Sequence, residues 1–297
     1  MPFNNEEETK KEREKWKLTE EEYRDNFNSI FSELILTGDA TPSLNPTFIM
    51  VGGQAGCGKS MLVGKELKNL KNGAIIIDQD ILRTRHPKSK QIQDTYTERE
   101  EFLLLKRYLD RLINDIIARS SDEGFNLILE SALRSVSKFV INTKEVKAKG
   151  YNTKLSVLAV SPDEANLSMF TRFCAFLESN GDCRRNTRLD NDSVNKIPIN
   201  IGQMDSMGIF DDISISIRGD KTNNFEPIQK YTQRETPDMS PEVMYRTIVK
   251  DERIKPEEFK KRYVELRTVL EKYHQDTQLK RLDEFWQSFS SRTEVSR

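Results

Sequence analysis

Eight consecutive residues, Gly53-Gln54-Ala55-Gly56-Cys57-Gly58-Lys59-Ser60, constrain this chain more than any other stretch of it. They fit the phosphate-binding pattern G-x-x-x-x-G-K-[ST]. An apolar run at 48–51 leads into the loop and a helix-forming run at 60–71 leaves it. A strand entering a glycine loop that opens into a helix is a unit of parallel α/β architecture. Gly56 and Gly58 allow the backbone to turn its N–H groups inward around an anion, as bulkier residues cannot. The N-terminal end of the following helix adds its positive pole. Lys59 reaches the β- and γ-phosphates of ATP, and the Ser60 hydroxyl is a ligand for Mg²⁺. Gly53, Gln54, Ala55 and Cys57 complete the nucleotide cradle. Cys57 reads as a small residue filling a tight loop rather than as a redox switch.

Around the loop, apolar runs alternate with amphipathic ones. Residues 74–77, 127–129, 155–160 and 213–217 read as strands, and 98–121, 136–149, 162–177 and 189–207 as helices. On the first of these helices Phe102, Leu105, Leu109, Leu112, Ile113, Ile116 and Ile117 form the expected buried side. The fold class is therefore α/β, a P-loop kinase fold with a parallel sheet covered by helices on both faces. Helical extensions stand at both ends. Thr19 and Glu22 form a capping-box pair, and Tyr23, Phe27, Ile30, Phe31 and Leu34 share one face of a helix over 19–36. Past Asp220 the chain loses clear periodicity until Ser240-Pro241, a helix start, and 256–285 reads as one or two highly charged helices. The expected division is 1–45 for the charged N-terminal segment and amphipathic helix, 46–220 for the kinase core, and 221–297 for the C-terminal helical extension.

Composition removes several classes of function. Lys and Arg number 47 against 48 Asp and Glu. This balance lacks the basic surplus that a nucleic-acid backbone demands, so no nucleic acid is expected as partner. No apolar run approaches the roughly 18 residues of a membrane span, so no membrane partner is expected either. The charge-dense first 17 residues have no apolar signal region. Cys57, Cys174 and Cys183 lack metal-type spacing, and a reduced cytoplasmic compartment is the simplest location.

Ligands of open α/β sheets bind beyond the carboxyl ends of the strands. Asp78 and Asp80 end the second strand and Glu130 ends the third. A carboxylate there accepts the proton of an acceptor hydroxyl or holds Mg²⁺ and its waters; the bland alternative is a helix cap. Arg172 follows the fourth strand, and Arg184, Arg185 and Arg188 cluster after Gly181 as a lid or as a solvated charge run. Arginines so placed stabilise charge on a phosphoryl group in flight. His86 and His274 are isolated and receive no catalytic role. Asn195-Lys196 is followed by Ile197-Pro198, so the acid of a guanine reader is missing. The residues point to ATP-dependent phosphoryl transfer onto a small-molecule hydroxyl. The contrasting class is an ATP-binding regulatory protein with no acceptor, which needs no carboxylate at Asp80.

The run Gly52–Ser60, with its Gly-Gly-Gln lead-in, resembles the P-loop of the zeta toxin family. The stretch 77–87 is similar to that family's second-strand motif, and 126–135 with 148–160 to its third and fourth strands. Gly208-Ile209-Phe210-Asp211-Asp212-Ile213 and Glu235-Thr236-Pro237 continue the likeness over roughly 19–256. The resemblance implies an ATP-dependent kinase that phosphorylates the 3′-hydroxyl of the amino sugar in UDP-N-acetylglucosamine, or a related nucleotide-sugar, and a small helical antitoxin that covers the ATP site. It implies Lys59 and Ser60 at the phosphates and Mg²⁺, Asp80 as base, Arg172 and Arg185 as charge-stabilising arginines, and Asp80, Glu130, Arg134 and Asn114 at the acceptor. Arg184 and Arg188 compete with Arg185 for its role. The chain departs from the family at Ser131-Ala132-Leu133-Arg134, where Gly-Thr-Gly-Arg is usual. It departs again at Asn114, in place of an acid, and at Asn142, in place of a hydroxyl. Those departures bear on the acceptor, and another acceptor such as NAD or an antibiotic stays open.

Overall fold

The computed structural model describes residues 6–180, 191–220 and 225–294. Its strands are β1 (Thr47–Gly52), β2 (Ile75–Ile77), β3 (Leu127–Ser131), β4 (Asn152–Leu158), β5 (Asp212–Ile217) and β6 (Ile228–Thr232). The helices are α1 (Glu6–Lys15), α2 (Glu20–Thr37), α3 (Lys59–Lys68), α4 (Gln79–Thr84), α5 (Ser89–Thr95) and α6 (Glu98–Asp122). They continue with α7 (Ser137–Ala148), α8 (Pro162–Asn180), α9 (Asn191–Ser206), α10 (Pro241–Asp251), α11 (Pro256–Lys272) and α12 (Asp276–Glu294). The sheet order is β2-β3-β1-β4-β5-β6. The first five strands run parallel, and β6 pairs antiparallel with β5.

Side chains of β1 alternate between two covered faces, as the two-residue period of a strand requires. Phe48 and Met50 join the core built with α2, α6, α7, α9 and α10, while Ile49 and Val51 pack with Leu62 and Val63 of α3 and Ala165 of α8. A third cluster lies away from the sheet. There Leu167, Phe170, Phe173, Cys174 and Leu177 of α8 meet Phe259, Leu266 and Leu270 of α11 and Leu282, Phe285 and Phe289 of α12. Phe259 is fully buried and stacks on Phe289 at 4.0 Å between ring centroids. Truncating a ring so placed costs about 3–5 kcal/mol.

The capping box of α2 forms as expected, with Thr19 accepting from the Glu22 N–H and Glu22 from the Thr19 N–H. An equivalent box, Thr97 with Glu100, opens α6. Several elements depart from the sequence reading. The aperiodic stretch after residue 220 contains β6, whose burial is confined to Tyr231 and Thr232, so it carries no apolar run. The division at 220/221 thus assigns one strand of the sheet to the C-terminal segment. The N-terminal charged segment forms α1, which Arg13 ties to the Leu103 carbonyl of α6 at 2.9 Å. Phe102, expected inside, is 43% exposed, because Glu100, Glu101 and Leu104 take the inward positions of that turn. No helix among the described residues is long and apolar enough to cross a membrane.

Candidate active site

β1 lies at the middle of the sheet, between β3 and β4, so its carboxyl end opens onto the crevice where such sheets bind ligands. The loop after it turns through Gly56 at φ 76° and Gly58 at φ 97°, left-handed conformations that side chains strain to adopt. A Cβ on Gly56 would also stand 2.2 Å from the Ala165 carbonyl oxygen of α8. Gly58 is the N-cap of α3, with no side-chain capping hydrogen bond. Cys57 is fully buried under the loop, and burial pushes its thiol pKa up. Gln54 is buried too, and its Nε2 donates to the carbonyls of Val160 and Ser161 at 3.0 and 3.2 Å, fastening the loop to the start of α8. The Lys59 ammonium donates to the carbonyls of Gly53 and Gln54 at 3.1 and 3.2 Å, across the loop's mouth. Ser60 is exposed on the first turn of α3.

The acids come in from β2 and β3. Asp78 caps α4, accepting from the Asp80 N–H at 2.8 Å, and this holds the exposed Asp80 on the first turn of that short helix. Glu130 pairs in register with Val51, one residue before the end of β1. Its carboxyl pKa is pushed up to about 7, chiefly by burial and then by the negative charge of Asp78. Lys59 opposes that rise, Asp80 adds to it and Arg172 opposes it. The charges that act most strongly on Glu130 are therefore Asp78, Lys59, Asp80 and Arg172, drawn from α3, α4 and α8. Such a convergence makes the crevice the candidate site.

Other expected site residues lie elsewhere. Arg134 is exposed beyond Leu133, a residue with φ 50° packed against Gly52, and it is not among the charges that weigh most on Glu130. Asn114 is exposed on α6, while its neighbour Asp115 turns to α2, accepting from the Tyr23 hydroxyl at 2.6 Å. Arg184, Arg185 and Arg188 lie outside the described residues, as does Cys183. The buried His86 accepts from the Lys88 N–H, and burial lowers its pKa to about 4. It stays neutral, apart from the crevice chemistry.

Sequence reasoning missed Arg218. Its Nε donates to the Cys57 carbonyl at 2.9 Å, its Nη2 donates to the Gly56 carbonyl, and its Nη1 pairs with Glu164 at 2.7 Å. The signal was available: Arg218 directly follows an apolar alternating strand, the same position that drew attention to the acids after β2 and β3.

A family model described as Zeta toxin matches residues 33–227 of the chain. Toxin zeta of Streptococcus pyogenes is 29% identical over 226 residues, 75% of this chain and 75% of that protein. A solved structure from the PezAT chromosomal toxin-antitoxin system of Streptococcus pneumoniae superposes with a TM-score of 0.73 at 22% identity, covering 88% of this chain and 98% of that one. The AvrRxo1-ORF1:-ORF2 structure with ATP shares the fold at a TM-score of 0.53 and 12% identity, covering 92% and 91%.

Proposed function

The chain belongs to the zeta toxin family of ATP-using P-loop kinases, and on that premise we propose that it phosphorylates a sugar hydroxyl, the 3′-OH, of UDP-N-acetylglucosamine or a related nucleotide-sugar. One observation carries the reading: Lys59, Asp78, Asp80 and Arg172 all act on Glu130 at the carboxyl ends of β2 and β3, beside the phosphate loop. Asp78 serves as the cap of α4 and an acid here can hold Mg²⁺ and its waters, but a regulatory ATP binder needs no further carboxylate at Asp80.

In this mechanism the loop N–H groups and the α3 terminus hold the ATP phosphates. Lys59 exchanges its loop carbonyls for phosphate oxygens. Among the described residues no three His, Cys, Asp or Glu side chains form a metal cage. Mg²⁺ in such sites takes few protein oxygens and completes its shell with phosphates and water, and Ser60 is the residue that would hold it. When bound, the ion neutralises charge on the phosphates. Asp80 accepts the proton of the attacking hydroxyl, and Arg172 stabilises charge on the transferring group. Arg185, or Arg184 or Arg188 in its stead, supplies a second cation. Asn114 and Arg134 are acceptor residues on the family resemblance alone, and no step here depends on them.

Two departures from the family pattern favour an acceptor pocket of its own. Leu133 fills space against Gly52, where the family has glycine. Asn142 is buried on α7 with its Nδ2 unpartnered among the described atoms, which suits a hydrogen-bond acceptor on a ligand. The second reading is accordingly a kinase of another acceptor, such as NAD or an antibiotic. The toxin–antitoxin system that contains the solved relative supports a small antitoxin as this chain's protein partner. Cys57 is free and buried, in keeping with a reduced, cytoplasmic setting.

The test is phosphate transfer from ATP onto a panel of UDP-N-acetylglucosamine, other UDP-sugars and NAD, read by mass. A product 80 Da (about one phosphoryl group) heavier from UDP-N-acetylglucosamine or another UDP-sugar is expected. Transfer confined to NAD would replace the first reading with the second.

A further inference from the structure

The C-terminal helices α11 and α12 touch the ATP site through a relay of charged groups. Arg218 stands just past β5, its guanidinium laid against the outside of the phosphate loop, donating to the carbonyls of Gly56 and Cys57. A trans peptide points its C=O and N–H in opposite directions. A donor that fixes those two carbonyls on the outside therefore aims the N–H groups of Cys57 and Gly58 inward, that of Cys57 reaching the Gln54 carbonyl across the loop at 3.3 Å. Arg218 in turn is held by Glu164 on the first turn of α8, at 2.7 Å, and by the Ser168 hydroxyl at 2.9 Å.

Glu164 does not serve Arg218 alone. Arg262 of α11 brings Nη1 to both carboxylate oxygens of Glu164 at 2.7 and 2.8 Å, and its Nη2 donates to Ser168 and Thr171 at 3.3 Å each. Glu164 thus sits between two guanidinium groups, only 20% exposed. Farther along, Arg292 of α12 pairs with Asp163 at 2.8 Å, a second tie to the same turn of α8. Beneath these contacts the apolar face of α8 is covered by α11 and α12. That helix also presents the Ala165 carbonyl to Gly56 and carries Arg172.

We propose that Arg218 and Arg262, bridged by Glu164, are positioning residues for the phosphate loop, which makes the α11–α12 pair a working part of the ATP site. This rests on the reading of Gly53–Ser60 as an ATP site. Without Arg262, Glu164 draws Arg218 wholly to itself, and the guanidinium leaves the loop carbonyls. The fork of Arg262 matters as well as its charge, since one nitrogen engages the carboxylate while the other reaches two hydroxyls.

The experiment measures ATP dissociation constants by displacement of a fluorescent ATP analogue, together with melting temperatures, on full-length variants. Arg262→Ala should weaken ATP binding about tenfold, an equilibrium shift of 1.4 kcal/mol. Arg262→Lys should recover part of that loss. Leu266→Ala, which removes apolar packing from the same helix, should lower the melting temperature further while leaving ATP affinity at the wild-type value. Wild-type affinity in both Arg262 variants would overturn the proposal, as would an affinity loss that simply follows melting temperature across the three. ATP binding by wild type that Lys59→Ala abolishes shows the ATP site itself to be sound, so either result counts against the relay alone. Failure of the wild type to bind ATP would overturn the ATP-site reading and the relay with it.

Discussion

Glu130→Gln isolates the electrostatics of the crevice from its chemistry. In the free protein the Glu130 carboxyl pKa is raised from 4.5 to about 7, first by burial and then by Asp78. A carboxyl whose folded pKa is raised contributes its full stability below the ordinary value, and that contribution is lost as pH climbs through the folded value. Between pH 5 and pH 8 the linkage relation gives a loss of about 2.5 kcal/mol for this shift. The group is partly open to solvent, so screening reduces the expected figure to about 2 kcal/mol. Glutamine carries no charge at either pH and escapes the loss. The stability of Glu130→Gln relative to wild type should therefore rise by about 2 kcal/mol from pH 5 to pH 8, a relative gain of about 4 °C in melting temperature. The assay is thermal unfolding at both pH values, free of nucleotide and with a chelator present. Parallel pH dependence of the two proteins would refute the crowding of Asp78 and Asp80 around a buried Glu130. An opposite sign would mean that Lys59 and Arg172 outweigh burial.

Two further substitutions probe the transferring phosphoryl group. Lys59→Ala should cut turnover by about 10²–10³-fold, the loss of one preorganised donor, and steady-state kinetics showing near-normal turnover would remove the loop from the chemistry. Arg172→Ala should lower kcat by a larger factor than it raises the KM for ATP if, as proposed, its charge serves the phosphoryl group in transit; an effect on KM alone would make it a binding residue.

The sheet was readable in the sequence because its central strands are buried on both faces. Phe48–Val51 and Leu127–Leu129 are unbroken apolar runs, and Thr19 and Thr97 announce their helices through local chemistry. β6 escaped because Ile228, Gln229 and Lys230 face solvent at the sheet's edge, where no apolar run is required. α1 escaped because its residues are nearly all charged and its hold on the protein depends on distant partners such as Leu103. The phosphate loop and the acids after β2 and β3 followed from motif and strand-end logic. Arg218 and Glu164 did not, since 54 positions separate them and only the fold makes them neighbours. Phe102 shows the limit of helical periodicity: Glu101, held by Gln93 at 3.1 Å and paired with Arg83, occupies an inward position that a hydrophobicity pattern assigns to an apolar side chain.

The most direct test of the central claim, phosphoryl transfer with Asp80 facing the acceptor, is Asp80→Asn measured for ATP affinity and for single-turnover transfer to whichever acceptor wild type uses. The account predicts ATP binding within about twofold of wild type, since the exposed Asp80 is held by a backbone cap rather than by the phosphate loop, together with transfer reduced by about 10²–10⁴-fold. Transfer at the wild-type rate would contradict it. Loss of ATP affinity with the residual rate unchanged would contradict it too, assigning Asp80 to the nucleotide instead of the acceptor.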